Sequence, residues 1–196
     1  MRIFLLARHA ESLFNVAGVV NADPSLDRGL SETGQAEARI LGQQVSGLEI
    51  DLLVTSRFPR AQQTAAIALE GRSVPHVVIA GLDDVHIGDL EGKTLADYRT
   101  WKRSHGRGDR FPGGESLDEA ARRYADAFRA LLVRPERTIL TVCHEIPVRY
   151  AVNAAAGSSD LDAPAHVIRN AAPYVFDERG LEAAADGIGR LATSGA

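Results

Sequence analysis

"RIFLLARHAES", residues 2–12, sets an apolar run of strand character directly against two basic groups, Arg8 and His9. Such a run cannot bury itself alone, and three more follow: "DLLVTS" (51–56), "HVVIAG" (76–81) and "RTILTVC" (137–143). Longer stretches with helical spacing separate them, the signature of a layered α/β domain. After the first run, Ala36, Ile40, Leu41, Val45 and Leu48 suggest a helix with one apolar stripe, capped by Ser31. "PRAQQTAAIAL" opens a second helix on a proline, which is tolerated at a first helical position because that N–H lacks an intrahelical partner anyway. "SLDEAARRYADAFRALL" predicts a helix over 117–132: Ser116 and Glu119 make a capping box, and Leu117, Ala121, Tyr124, Phe128 and Leu131 make one face. "IPVRYAVNAAAG" predicts another, stopped by Gly157. "PYVFD" and the residues after Gly180 read as a terminal hairpin, followed by a flexible tail after about residue 186.

With 196 residues and 45% apolar content, the chain suits one domain spanning 1–196 with one sizeable core. Lys and Arg total 22 against 26 acidic residues, a net charge of −4 that lacks the basic footprint of a nucleic-acid binder. The single Cys143 cannot form an internal disulfide, and the apolar run Ile3 to Ala7 is too short for a secretory signal. No stretch approaches the roughly 20 apolar residues of a spanning helix. A cytoplasmic protein with neither nucleic-acid nor membrane partner is expected, and no pattern specifies an oligomeric state.

Ligands of open α/β sheets bind beyond the carboxyl ends of the strands. Three strands end there in chemistry: Arg8-His9, Ser56 followed by Arg60, and Cys143-His144. Two arginines and two histidines suit a phosphoryl group, because guanidinium forks match its oxygens and an imidazole nitrogen can attack phosphorus.

These residues sit within "RHAESLFN", "LSETGQAEARILG", "TSRFPRAQQTA", "LDDVHIGDLEG", "FPGGES" and "VCHEIPVR", six segments whose order and spacing across about residues 2–150 resemble the histidine phosphatase superfamily, phosphoglycerate mutase-like branch. The resemblance implies a three-layer α/β/α fold with a central, mostly parallel sheet. It also implies a metal-independent phosphomonoesterase without cofactors, hydrolysing a small phosphorylated metabolite through phosphohistidine on His9. In that scheme Arg8, Arg60 and His144 hold the phosphoryl oxygens and Asn15 helps orient them. Asp84 is the implied proton donor, with Asp83, Glu91 and Glu115 as rival acids. Two positions depart from the family pattern: Ala10 and Glu145 replace glycines, and Glu145 brings negative charge to the substrate-binding set. Gly113 and Gly114 precede a capped helix and read as loop-shaping residues.

Other readings use the same residues. Cys143 and Arg149 have the bare spacing of cysteine-based phosphatases, but Pro147 removes a loop donor and Tyr150 follows where a hydroxyl residue is wanted. Asp83, Asp84, His86 and Asp89 could recruit a divalent metal. Mutase-type phosphoryl transfer uses the same set, with the modest length favouring hydrolysis, and a phosphate-binding protein without catalysis is a further alternative. The resemblance implies that residues 93–111, six Lys/Arg against two Asp, form part of a cover over the pocket; their charge suggests either a second anionic group on the substrate or simply a solvated basic helix. Tyr98 and Trp101 either stack on a substrate ring or pack beneath that segment.

Overall fold

The computed structural model describes residues 1–163 and 167–192. Five strands, β1 (Ile3–Arg8), β2 (Leu52–Thr55), β3 (His76–Val78), β4 (Thr138–Cys143) and β5 (Pro173–Asp177), form one sheet in the order β3-β2-β4-β1-β5. The first four are mutually parallel, and β5 runs antiparallel to β1 on the edge.

Strand period 2 builds the three layers. Phe4 and Leu6 of β1, Leu52 and Val54 of β2, and Ile139 of β4 face a core shared with α5 (Leu117–Leu132), α6 (Glu145–Ala155) and α7 (Glu178–Leu191). Their neighbours Leu5, Ala7, Leu53, Leu140 and Val142 face the other way, onto α2 (Glu32–Gln44) and α3 (Pro59–Ala68). A strand buried on both faces reads as an unbroken apolar run, which is why "RIFLLA" and "RTILTVC" show no polar alternation.

The capping box at Ser116 and Glu119 is present, and all five residues of the expected α5 face are buried. On α2 the stripe is rotated from expectation. Gly34, Ala38, Leu41 and Val45 face the core, while Ile40 is half exposed. A Cβ at position 34 would lie 2.0 Å from the Glu11 carbonyl oxygen, so this glycine lets α2 press against the segment that follows β1. The terminal hairpin is not formed. Strand β5 exists, but Asp177 accepts from the Gly180 N–H as an N-cap and the chain continues as helix α7. The tail expected after about residue 186 is therefore helical through Leu191, with Ile188 fully buried; residues 193–196 lie outside the described ones. Helix α7 packs on α5 and α6, closing the core on that face.

Among the described residues, no helix is long and apolar enough to cross a membrane.

Candidate active site

The carboxyl ends of β1, β2 and β4 lie side by side, and the register pairs Arg8 with Cys143 and Thr55 with Val142. That register delivers Arg8-His9, Ser56 and His144 to one edge, and the first turn of α3 adds Arg60. Residue Gly18 and the capping box at Ser12 and Asn15 terminate the short helix α1 (Leu13–Ala17), which turns the chain away after His9.

His9 is 3% exposed and its Nδ1 lies 2.7 Å from the Ala10 carbonyl oxygen. An oxygen that can only accept fixes the proton on Nδ1, so Nε2 carries the lone pair. That lone pair receives the Arg60 Nε–H at 3.1 Å. Burial, reinforced by the Arg60 and Arg8 charges, holds the His9 pKa well below the usual imidazole value, so the ring is neutral near pH 7. A neutral imidazole with an unprotonated ε nitrogen is the form a phosphorus nucleophile requires.

Arg60 is the hub. Its Nη1 donates to Asn21 Oδ1 at 2.6 Å, and its Nη2 lies 3.3 Å from both Asp84 Oδ2 and His144 Nδ1. Its backbone N–H donates to buried Asp27 at 2.9 Å, and its guanidinium stacks 4.3 Å over the Phe58 ring. His144 packs edge-on against the same ring and lies 2.9 Å from Ser56 Oγ through Nε2. With Arg60 donating to Nδ1, the His144 proton belongs on Nε2. Burial first, then the Arg60 charge, lowers its pKa well below the usual value.

Asp84 completes the cluster. Burial raises its carboxyl pKa, against the pull of Arg60, and the Glu145 charge adds to the rise. Its loop is clamped from α5: Arg123 donates to the carbonyl oxygens of Gly81 (3.0 Å), Asp83 (2.9 Å) and Asp84 (3.2 Å) and pairs with Glu115. On the far side Asp83 takes both the N–H and Nε–H of Arg57. Asp84 still has a side chain 27% exposed, and it borders an open cleft of ≈ 470 Å³ shared with Asp23, Arg57, His86 and Arg123.

The structure thus brings His9, Arg60, Asp84 and His144 into mutual contact, with Arg8 at the edge. Arg8 pairs with Glu145 at 2.9 Å, and its buried Nε has no partner among the described residues. Asn15 stands apart, its Oδ1 accepting from Ser12 to cap α1. The asparagine touching Arg60 is Asn21, itself held by Glu91 at 2.9 Å. Asn21, Asp27, Phe58 and Arg123 were not singled out in the sequence, because Asn21 and Asp27 reach Arg60 across 39 and 33 residues of chain, Phe58 reaches His144 across 86 and Arg123 reaches the Asp84 loop across 39 to 42, with no local pattern; only Ser56 was marked, by its place at a strand end.

The rival acids have other work: Asp83 binds Arg57, Glu91 binds Asn21 and Glu115 binds Arg123. Among the described residues, no three His, Cys, Asp or Glu side chains converge as metal ligands. Cys143 is fully buried at the end of β4, where burial pushes its pKa up to about 12, and Arg149 pairs with Glu145 one turn along α6. A protonated interior thiol is no nucleophile. Gly114 does shape its loop: a Cβ there would lie 2.2 Å from the His86 carbonyl oxygen, where the chain meets the segment carrying Asp84.

The cover segment contains α4 (Leu95–Ser104). Three of its six cations are paired locally, Lys102 and Arg107 with Asp162, Arg107 also with Asp118, and Arg110 with Glu119, while the ion pairs among the described residues do not include Lys93, Arg99 or Arg103. Half of the segment's basic charge is thus neutralised within the fold, and the expected attraction of a second substrate anion rests on Lys93, Arg99 and Arg103. Trp101 lies between His105 and Phe111, and Tyr98 stacks on Phe111, so both aromatics pack beneath the segment.

A neutral histidine, clamped by guanidinium and flanked by a protonatable acid at parallel strand ends, defines a phosphoryl-transfer enzyme of α/β architecture. The chain belongs to the histidine phosphatase superfamily (branch 1), whose family model matches residues 4–185, and so to enzymes acting on phosphate esters. It is 31% identical over 194 residues to the 2,3-bisphosphoglycerate-dependent phosphoglycerate mutase of Methylobacterium sp. (strain 4-46), covering 89% of this chain and 90% of the relative. Among solved structures it resembles Bacillus stearothermophilus YhfR (TM-score 0.79, 25% identity, 89% and 90% of the two chains). It also resembles the mycobacterial glucosyl-3-phosphoglycerate phosphatase, solved with VO3 (TM-score 0.73, 25% identity, 89% and 92%).

Proposed function

We propose that the protein is a metal-independent phosphomonoesterase acting on a small phosphorylated metabolite through a phosphohistidine at His9. The observation that carries this reading is the fixed Nδ1–H of His9, which leaves Nε2 facing Arg60. An entering phosphoryl group exchanges that contact: one oxygen takes the Arg60 Nε–H and the phosphorus takes the Nε2 lone pair. Arg8, Arg60 and His144 hold the equatorial oxygens, and the arriving dianion favours protonation of His144. As the ester P–O bond breaks, protonated Asp84 gives its proton to the departing alkoxide. The Asp84 carboxylate then takes a proton from water as that water attacks phosphorus, freeing His9 and inorganic phosphate.

Chain length does not separate hydrolase from mutase, since the chain spans 90% of the Methylobacterium mutase. Water access does favour hydrolysis. Asp84, the group that would activate water, has a side chain 27% exposed and opens on a solvent cleft. The non-catalytic reading gains no support, because nucleophile, acid and clamp are all in contact.

The test is a phosphatase screen over phosphorylated metabolites with wild type, His9→Ala and Arg60→Ala in parallel, beside a 2,3-bisphosphoglycerate-dependent mutase assay. Wild type is expected to release phosphate, both variants to lose at least ~10³-fold, and the trapped intermediate to carry acid-labile phosphate on His9. Activity retained in His9→Ala, or isomerisation faster than hydrolysis, would reject the proposal.

A further inference from the structure

Glu145 lies directly beside residues that the proposed reaction uses. Its backbone follows His144, its Oε2 lies 2.9 Å from Arg8 Nη1, and its Oε1 pairs with Arg149 on the next turn of α6. One carboxylate is therefore shared between two guanidiniums, and it is about one-third exposed. Its charge acts on Asp84 and on Tyr98 of the cover segment. The leaving oxygen must touch Asp84 to be protonated, so any leaving group passes through that field.

We propose that Glu145 selects the substrate by the charge of its leaving group, admitting phosphate esters of neutral or cationic alcohols and disfavouring those whose alcohol carries a carboxylate. This rests on the phosphomonoesterase reading and deepens it. The phosphoryl dianion itself is served by Arg60, His144 and the unpartnered Nε edge of Arg8, none of which Glu145 occupies. A carboxylate a few bonds further out meets Glu145, whose neighbouring guanidiniums, Arg8 and Arg149, are already paired with it. Arg149 is already held by Glu145, and the cover segment's Lys102, Arg107 and Arg110 are held by Asp162, Asp118 and Glu119. Replacing Glu145 by a neutral isostere releases both guanidiniums at once.

The test is the ratio of kcat/KM for 3-phosphoglycerate to that for glycerol 2-phosphate, two esters of similar size that differ in one carboxylate. Glu145→Gln is expected to raise this ratio about tenfold at low ionic strength, the size of one charge interaction at a half-solvated site, with the gain shrinking as salt is added. Glu145→Asp should restore much of the wild-type preference, and Arg149→Gln should lower the ratio. A ratio unchanged within twofold in Glu145→Gln, or both substrates improved equally, overturns the proposal. Binding of the same two esters to His9→Ala, with and without Glu145→Gln, is measured by calorimetry alongside. If neither ester is turned over by any variant, the phosphomonoesterase reading falls while the binding ratio still reads the charge selection; equal binding changes would overturn it independently.

Discussion

Two side chains with opposite protonation demands share one guanidinium in this site. In the proposed reaction His9 must be neutral and Asp84 protonated, and burial pushes each in the required direction, because removing water penalises the charged form of both. Activity on alkyl phosphates should fall as pH rises through the elevated Asp84 pKa and fall again as pH drops through the depressed His9 pKa. Asp84→Asn isolates the acid. On glycerol 2-phosphate it should reduce kcat/KM by about 10²-fold or more, whereas p-nitrophenyl phosphate, whose leaving group needs no proton, should still give a rapid burst of p-nitrophenolate followed by slow turnover. The same substitution should raise the melting temperature at pH 7. An acid whose folded-state pKa is raised binds its proton more tightly when folded, so its contribution is lost once pH passes that pKa and the ionised form opposes folding. Asparagine removes that opposition, and a gain of a few degrees by calorimetry is the expected size. An unchanged or lower melting temperature would show that the pairing with Arg60 outweighs burial.

Placement of the acid belongs to the element scale. Asp84 lies on a loop with little regular structure of its own, between the 3₁₀ turns at Ala80–Leu82 and Gly88–Leu90. The loop is held because Arg123 on α5 takes three successive-region carbonyl oxygens and because Asp83 ties it to Arg57 before α3. Arg123→Met keeps much of the packing stem but removes these donors. Its phosphorylation rate on alkyl phosphates should drop about tenfold with inorganic phosphate inhibition unchanged, since Arg60, Arg8 and His144 are untouched; a parallel loss of phosphate affinity would mean the whole strand-end edge had shifted. The capped helices and strand ends were legible in the sequence, as Ser116, Glu119 and the Arg8-His9 pair show, because their signals are local. Arg123 was not, since a cation inside an amphipathic helix looks alike whether it meets solvent or three carbonyls. Asn21, standing where Asn15 was expected, was hidden because its contact with Arg60 spans 39 residues of chain.

At the scale of the whole molecule, the parallel sheet explains why four distant segments share one pocket. Strands that run the same way finish at the same edge, so Arg8-His9, Ser56 and His144 are delivered together by register, and α3 needs only one turn to add Arg60. The fold was readable from its doubly buried strands; its last layer was not. Helix α7 was mistaken for a hairpin and tail because Gly180, Gly187, Gly189 and the Asp186-Gly187 pair are turn signals. Packing overrides them: a Cβ at 187 would lie 2.9 Å from the Ala154 Cβ, so a small residue is needed where α7 crosses α6. Leu181, Ala184, Ala185 and Ile188 then form the buried stripe that closes one face of the core. If α7 is integral in this way, Ile188→Ala should cost about 2–4 kcal/mol and lower the melting temperature by roughly 5–15 °C, with kcat/KM at low temperature nearly unchanged because no active-site residue lies on α7. Were positions beyond 186 a dispensable tail, the same substitution would fall within about 0.5 kcal/mol of wild type, the range of ordinary surface changes.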